Sequence, residues 1–554
     1  MSAAASPIAS PSRPQERARL RGPARIGELA SRVPAWAITA GFALAYVIAA
    51  PPSPDLAAAS YRSSLFSSAG FTLWDNSWYG GHHLLAYSVI APALGALIGP
   101  QPLAALSMVA ATALFAALID GLFPARAVRI AAVWFALGAS VSLLSSRVPF
   151  DLGLAVGLTA LLLAQRKHMA GALAMSVLTS LASPVAGAFL ALAFLAWALA
   201  RAGRARVWRA ALAVAALAPI ALLMLAFPEG GTQPFVASAF YPDLAGVLVI
   251  GALVQPRQRT LRLGVALYAL ALIGSYAVPS AVGGNVDRLG ALAAGPIAAC
   301  ALVCASRRRR LALAVLAPLL LYWQANAPVA DFAAAASDPA VHASYYAPLL
   351  GELRTLGVGY GARPARIEVV ATADHWEARW LAPHELLARG WERQLDVYRN
   401  HAFYDESAPL TAASYRGWLA ANAISYVALP DAPSDYSARS EARLVRAGGL
   451  PYLREVWRSA HWRLFAVRNA TPLAQAPAVL ESATSDSLTL YAPRPGAYTV
   501  RVHFTPYWAL TGGSGCVSRA PGDWTRISAR ETGELRVVIA FSLARVFEHG
   551  ARCR

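Results

Sequence analysis

Long apolar runs separated by short polar breaks fill the first three-fifths of the chain. They fall at 33–51, 88–99, 102–123, 128–145, 151–165, 169–183, 186–200, 208–227, 241–255, 262–280, 289–305 and 310–326. Runs near ~20 residues predict membrane-spanning helices, and several here are shorter. Arg13 to Arg32, Arg166 with Lys167, Arg201 to Arg209, Arg257 to Arg262 and Arg307 to Arg310 flank these runs. Positive connections belong on the cytoplasmic side, which leaves 52–87, 146–151, 182–186, 228–240 and 281–288 outside. Arg126 and Arg129 also belong inside, so 88–123 crosses once. Pro92, Gly95, Gly99 and Pro100 break the 88–99 run, which reads as a partial or re-entrant helix leading into one full span. The expectation is about eleven spans, with the N-terminus inside and the tail outside.

Residues 1–32 are rich in Ser, Pro and Arg and read as a disordered cytoplasmic N-terminus. The 33–51 run lacks a small-residue cleavage site and reads as an uncleaved first span of a transmembrane domain covering 33–326. From Ala327 the pattern changes. ARIEVVAT (365–372), ISYVALPD (424–431) and HWRLFAVRN (461–469) predict strands, and 345–357, 383–400, 411–422 and 437–448 predict helices. An extracytoplasmic α/β domain over 327–471 follows. Over 472–554, alternating segments separated by PRPG, TGGSG and PGD turns predict an antiparallel β-sandwich.

Composition supports a polytopic membrane protein. The 554 residues are 57% hydrophobic and 14% charged, against about 25% charged in soluble domains. The net charge of +18 comes from dispersed Arg, with Lys167 the single lysine, so no nucleic-acid partner is expected. Cys300 and Cys304 lie in an apolar run as packing residues; Cys516 and Cys553 lie in the tail, where a disulfide forms if the tail is outside the cytoplasm.

The candidate chemistry begins in the first polar stretch, SPDLAAASYRSSLFSSAGFTLWDNSWYGGHHLLAYS. It opens with Asp55 and carries Arg62, Asp75, His82 and His83 among Trp74, Trp78, Tyr61, Tyr79 and Tyr87. Arg147, Asp151, Glu229, Asp287 and Arg288 fall in other outer connections, so acids and arginines from separate loops can converge beside the bilayer. Each has a plain structural reading too. Asp55 can cap a helix starting at Leu56, and the aromatics can form an interfacial belt. Asp374-His375-Trp376-Glu377 and His461-Trp462 read as packing or acceptor recognition rather than catalysis.

LWDNSWYGGHHLLAYSVIAP, PSAVGGNVDRLG and DHWEA with ARGWERQLD resemble the bacterial membrane proteins labelled 6-pyruvoyl-tetrahydropterin synthase-related. No residue pattern here suggests pterin chemistry. The order of first span, acid-opened outer loop, broken helix, many spans and soluble outer domain is similar to the glycosyltransferase C (GT-C) superfamily. That resemblance implies a sugar transferred from a polyprenyl-phosphate donor to an envelope glycan or lipid acceptor, with inversion. It implies Asp55 as general base. Arg147 and Arg288 would bind phosphate, and His82, His83, Trp74, Trp78 and Tyr79 would bind headgroup or sugar. A divalent metal, Mg or Mn, occurs in some superfamily members, with Asp75, Asp151 and Glu229 as its candidate ligands. The chain departs from the pattern in lacking an adjacent acid pair in the first loop. A bacterial plasma-membrane location follows. The alternatives are a non-catalytic envelope scaffold and a transporter or flippase, which would need ionisable residues at mid-membrane depth.

Overall fold

The computed structural model describes residues 33–359, 364–405, 407–547 and 553. The expected N-terminal disorder over 1–32 lies outside them. A helical domain comes first: α1 (Ala35–Ala49), α2 (Pro54–Ala69), α3 (Ala91–Ile98), α4 (Pro100–Ile119), α5 (Ala125–Ser142), α6 (Val148–Gln165), α7 (Met169–Ala182), α8 (Pro184–Leu199), α9 (Arg204–Ala226), α10 (Ala237–Leu253), α11 (Arg259–Ala277), α12 (Asp287–Leu302) and α13 (Arg307–Ser337).

Among the described residues six helices are long and apolar enough to cross a bilayer, or seven if the bent pair α1 and α2 is one span. The expected eleven crossings are therefore not matched by length. Helices α7, α8 and α10 are apolar but have 14, 16 and 17 residues, rising ~21–26 Å against a hydrocarbon core of ~30 Å. The first polar stretch is also not a simple loop. Ala50 adopts a left-handed conformation and Pro51 and Pro52 follow, so α1 stops. Pro54 then opens α2, which bends by 72° from α1. The broken helix is present: Gly99, at φ 90°, separates the eight-residue α3 from α4.

Small residues and buried polar pairs hold the helices together. Thr39 and Thr112 share a 3.0 Å hydrogen bond. Gln324 of α13 accepts from Trp134 Nε1 of α5 at 3.1 Å and donates to the Leu292 carbonyl of α12. A side chain at Gly295 would collide with Trp134, which is the close approach that small residues permit. Across α9, α11 and α13, Val214, Leu222, Leu270, Leu311 and Leu319 stay more than three-fifths exposed. Among the described residues none covers that apolar surface.

The helix α13 runs on past Ala327, where the composition changes, so the helical domain does not end there. A five-stranded mixed sheet follows, ordered β4-β3-β5-β7-β6, from β3 (Arg366–Val369), β4 (Leu386–Leu387), β5 (Ile424–Pro430), β6 (Leu453–Arg458) and β7 (Trp462–Val467). Strands β4, β3 and β5 are parallel; β7 and β6 add antiparallel. The helix expected over 383–400 is shorter, Arg393–Arg399, because Leu386 and Leu387 pair with β3 instead. The last region packs a four-stranded sheet against a three-stranded one, both antiparallel. Leu488, Leu490, Val500, Val517, Ile527 and Val537 from both sheets share one core. Cys516 and Cys553 form the expected disulfide.

A short hairpin, β1 (Trp74–Asp75) with β2 (His82–His83), ties these parts together. Trp74 belongs to the sandwich core and meets Trp508 edge-on at 6.0 Å. Trp78 belongs to the α/β core, stacks on Tyr61 at 4.6 Å, and lies so close to Gly390 that any side chain there would strike it. The backbone joins too: Leu387 donates to the Ser77 carbonyl, His503 to Gly80 and Asn76 to Ser485. Trp78→Ala is expected to cost about 3–5 kcal/mol and to speed proteolysis between the helical and outer domains. A thermal melt in detergent with timed digestion checks this; an unchanged melt would mean Trp78 holds nothing.

Candidate functional site

Two charged assemblies meet where the hairpin joins the helices. The first collects helix ends. Asp55 sits in the first turn of α2, Asp151 in the first turn of α6, Arg288 in the first turn of α12 and Asp331 two turns before the end of α13. Arg147 immediately precedes α6. Arg147 Nε lies 3.4 Å from Asp55 Oδ2, and its Nη2 lies 3.9 Å from Asp331 Oδ2. Ser145 donates to Asp331 at 2.7 Å. Asp151 is fully buried, with neither carboxyl oxygen hydrogen-bonded. Arg288 rests 5.6 Å over the Phe150 ring and makes no ion pair or side-chain hydrogen bond among the described residues. The cluster is not sealed: Asp55, Arg147 and Asp331 keep 28%, 23% and 34% of their side-chain surface.

Asp55 is not a helix cap. The helix starts at Pro54, the capping position is Ser53, and the Ser53 hydroxyl donates instead to the Ser145 carbonyl. The Asp55 carboxylate turns to Arg147, so α2 and α6 are joined at their beginnings by a bond and an ion pair.

Arg62 extends the cluster along α2. It pairs with Glu392 at 2.6 Å and lies 4.1 Å over the Tyr87 ring. Burial raises the Tyr87 phenol, with Asp55 adding to the rise and Arg62 and Arg288 opposing it. Burial also raises Glu392, against the pull of Arg62.

The second assembly is the hairpin's own polar lining, and it is closed. His83 Nδ1 lies 2.9 Å from Glu229, and its Nε2 lies 3.0 Å from Thr505. Arg399 pairs with Glu229 at 3.4 Å and donates to the Tyr79 and Gly81 carbonyls. Burial works to raise Glu229, but the His83 hydrogen bond and Arg399 hold it down to about 2. His82 is sandwiched against Trp78 and buried, which lowers it to about 3 despite Glu229. Tyr79 accepts from the Glu392 amide. Trp74, Trp78, Tyr79, His82 and His83 are each at most 5% exposed. These five, which the resemblance makes substrate-binding residues, are packed between domains, because the hairpin is clamped by both outer cores.

The residues suggested for a metal do not come together as a site. Asp75 accepts from Tyr61 and Ser77, Glu229 is held by His83 and Arg399, and Asp151 lies in the helix-end cluster. Among the described residues no group of three His, Cys, Asp or Glu side chains is placed to hold a metal ion. The donor set does not fit a metal.

The alignment of Asp151 and Asp331 with Asp55, Arg147 and Arg288 has a consequence for orientation. In α6 and α13 the cluster residue lies at the opposite end from Arg166 with Lys167 and from Arg307 to Arg310. Over 21 residues from Arg310, Asp331 is ~32 Å away along α13. Sequence reading missed Asp331 and gave Arg62 and Glu392 no role in the site. Asp331 could have been found as a lone acid in the Ala-rich APVADFAAAAS.

His375, the centre of the DHWE motif, is also buried: it stacks on Trp391 at 4.0 Å and faces Asp435 and Glu377 at 3.4 and 3.2 Å. Burial alone would lower it; these two acids raise it. It is a packing group within the α/β domain.

No protein-family model matches the chain, and no curated protein matches it.

His82, and His503 lowered to about 4 mainly by burial, stay neutral when folded and take up protons when released. Their contribution is present above the ordinary histidine value near 6.5 and is lost as pH falls below it. Glu229, held low, adds stability that is lost as pH falls from its ordinary 4.5 toward 2. The hairpin interface is expected to loosen as pH drops from 7 to 5. Amide hydrogen exchange over 74–83 and 503–507 checks this; protection that is flat across that range would contradict it.

Proposed function

We propose that this chain is a membrane glycosyltransferase of GT-C type, moving a sugar from a polyprenyl-phosphate donor to an envelope glycan or lipid acceptor. One observation carries the reading: five ionisable side chains from α2, the α6 approach, α6, α12 and α13 meet at the helix ends opposite the Arg-rich connections, and Arg288 among them makes no ion pair or side-chain hydrogen bond among the described residues. An unpaired guanidinium beside Arg147 suits a lipid phosphate, which both could grip through paired N–H donors. Asp55, held toward Arg147, then serves as the base that takes the acceptor hydroxyl proton while the oxygen attacks the anomeric carbon and the lipid phosphate leaves. Binding phosphate would draw Arg147 off Asp55 and free the carboxylate.

The uncovered apolar faces of α9, α11 and α13 support a bilayer setting. The finer topology, about eleven crossings in the bacterial plasma membrane with the N-terminus cytoplasmic and the C-terminal domains outside, needs α7, α8 and α10 to cross despite their length. The disulfide in the tail supports an oxidising, extracytoplasmic side. No step runs through a metal, since the donor set does not fit one.

A second reading, a non-catalytic envelope scaffold, is favoured by the closed hairpin. It predicts that the charged cluster is dispensable. Asp55→Asn is expected to lower transfer by about 10²–10⁴-fold while leaving the melt unchanged, and Arg288→Ala to raise the KM for the lipid donor. The check is transfer from a radiolabelled polyprenyl-phosphate sugar, with envelope glycan measured in cells carrying each variant. Unchanged transfer and glycan in Asp55→Asn would overturn the transferase reading.

A further inference from the structure

A polar groove of about 340 Å³ lies on another side of α2, lined by Ser60, Ser63, Ser64 and Ser67 with Trp376, Arg379 and Trp380 of the α/β domain and the junction of α3 with α4. At 100° per residue these serines lie about 80–180° round the helix from Asp55, so the groove is separate from the charged cluster. Gly95 makes room for it: a side chain there would strike the Ser63 hydroxyl.

The lining asks for a particular ligand. Arg379 lies 5.0 Å over the Trp380 ring and has no acid partner among the described residues. Trp376 is 7% exposed, lines the groove, and its Nε1–H is buried with no acceptor. Ser60 and Ser64 make no side-chain hydrogen bond among the described residues, while Ser63 and Ser67 donate to helix carbonyls and keep their lone pairs for a donor. Trp376 and Trp380 lie nearly parallel, 6.0 Å apart. A cation, an orphan donor, free hydroxyls and aromatic faces together suit a sugar ring that carries negative charge. The volume exceeds what a bare phosphate would fill. Leu97 and Ile98, which follow Ala96 of the lining in the chain, are 78% and 42% exposed.

We propose that this groove is a second binding site, for a phosphorylated sugar or cyclitol, with Arg379 on the phosphate and Trp376 and Trp380 beside the ring. It does not rest on the transferase reading. The groove's ligand is either free in solution or the headgroup of a lipid entering past Leu97 and Ile98.

The test uses the full chain in phosphatidylcholine nanodiscs. One arm titrates glucose 1-phosphate and follows tryptophan fluorescence. The other arm adds phosphatidylinositol to the nanodiscs and counts retained lipid by native mass spectrometry. Binding in the first arm assigns a soluble ligand, and retention in the second alone assigns a lipid headgroup. In whichever arm binds, Arg379→Gln is expected to weaken binding at least tenfold, and Ser64→Leu, which fills the groove from a hydroxyl that bonds nothing, to block it. Should Arg379→Gln fail to fold, Ser64→Leu decides alone. No binding in either arm, or binding that folded variants leave unchanged, overturns the proposal.

Discussion

Everything at this site depends on one insertion: the hairpin after α2 pushes Trp74 into the sandwich core and Trp78 into the α/β core. Burying two indoles in two different domains fixes both against the helices, and each large aromatic contributes more than most single contacts can. The polar groups carried in with them cannot be left unpaired, since buried unsatisfied donors and charges are costly. Arg399 on the hairpin carbonyls and Glu229 with His83 meet that demand. The consequence is a closed, cross-bonded roof next to the helix-end cluster.

Under that roof, the helices contribute charge at their ends and small or polar residues in their middles. Arg147 cannot reach both Asp55 and Asp331 unless the beginnings of α2 and α6 and the end of α13 lie at one level. The bend between α1 and α2 sets that level, because Pro51, Pro52 and Pro54 forbid one straight helix through the stretch. Glu392, from the α/β domain, reaches Arg62 only because Trp78 and Gly390 bring that domain close. The roof and the cluster are thus one arrangement rather than two.

Much of the fold was legible. The apolar runs, the strands at 366–369, 424–430 and 462–467, the alternation of the sandwich and the break at Gly99 follow from periodicity and from Pro and Gly chemistry. Of the acids and arginines read as able to converge, Asp55, Arg147, Asp151 and Arg288 lie together, while Glu229 joins the hairpin and Asp287 pairs with Trp323. The misreadings have physical causes. A polar, aromatic stretch looks the same whether it faces a membrane interface or fills two protein cores, and only the partners of Trp74 and Trp78 decide. The number of spans was less legible, because an apolar run does not report helix length: α7, α8 and α10 fall short of a full crossing. Asp331 was hidden because α13 continues through a change of composition. The groove on α2 draws its serines and its tryptophans from segments about 310 residues apart, which periodicity cannot bring together.

The most direct measurement is the structure of the protein in lipid with a polyprenyl phosphate added. The account predicts headgroup density within hydrogen-bonding reach of Arg288 and Arg147, with Asp55 facing the same space and its contact to Arg147 lengthened. Headgroup density elsewhere, or a helix-end cluster unchanged at saturating lipid, would contradict it.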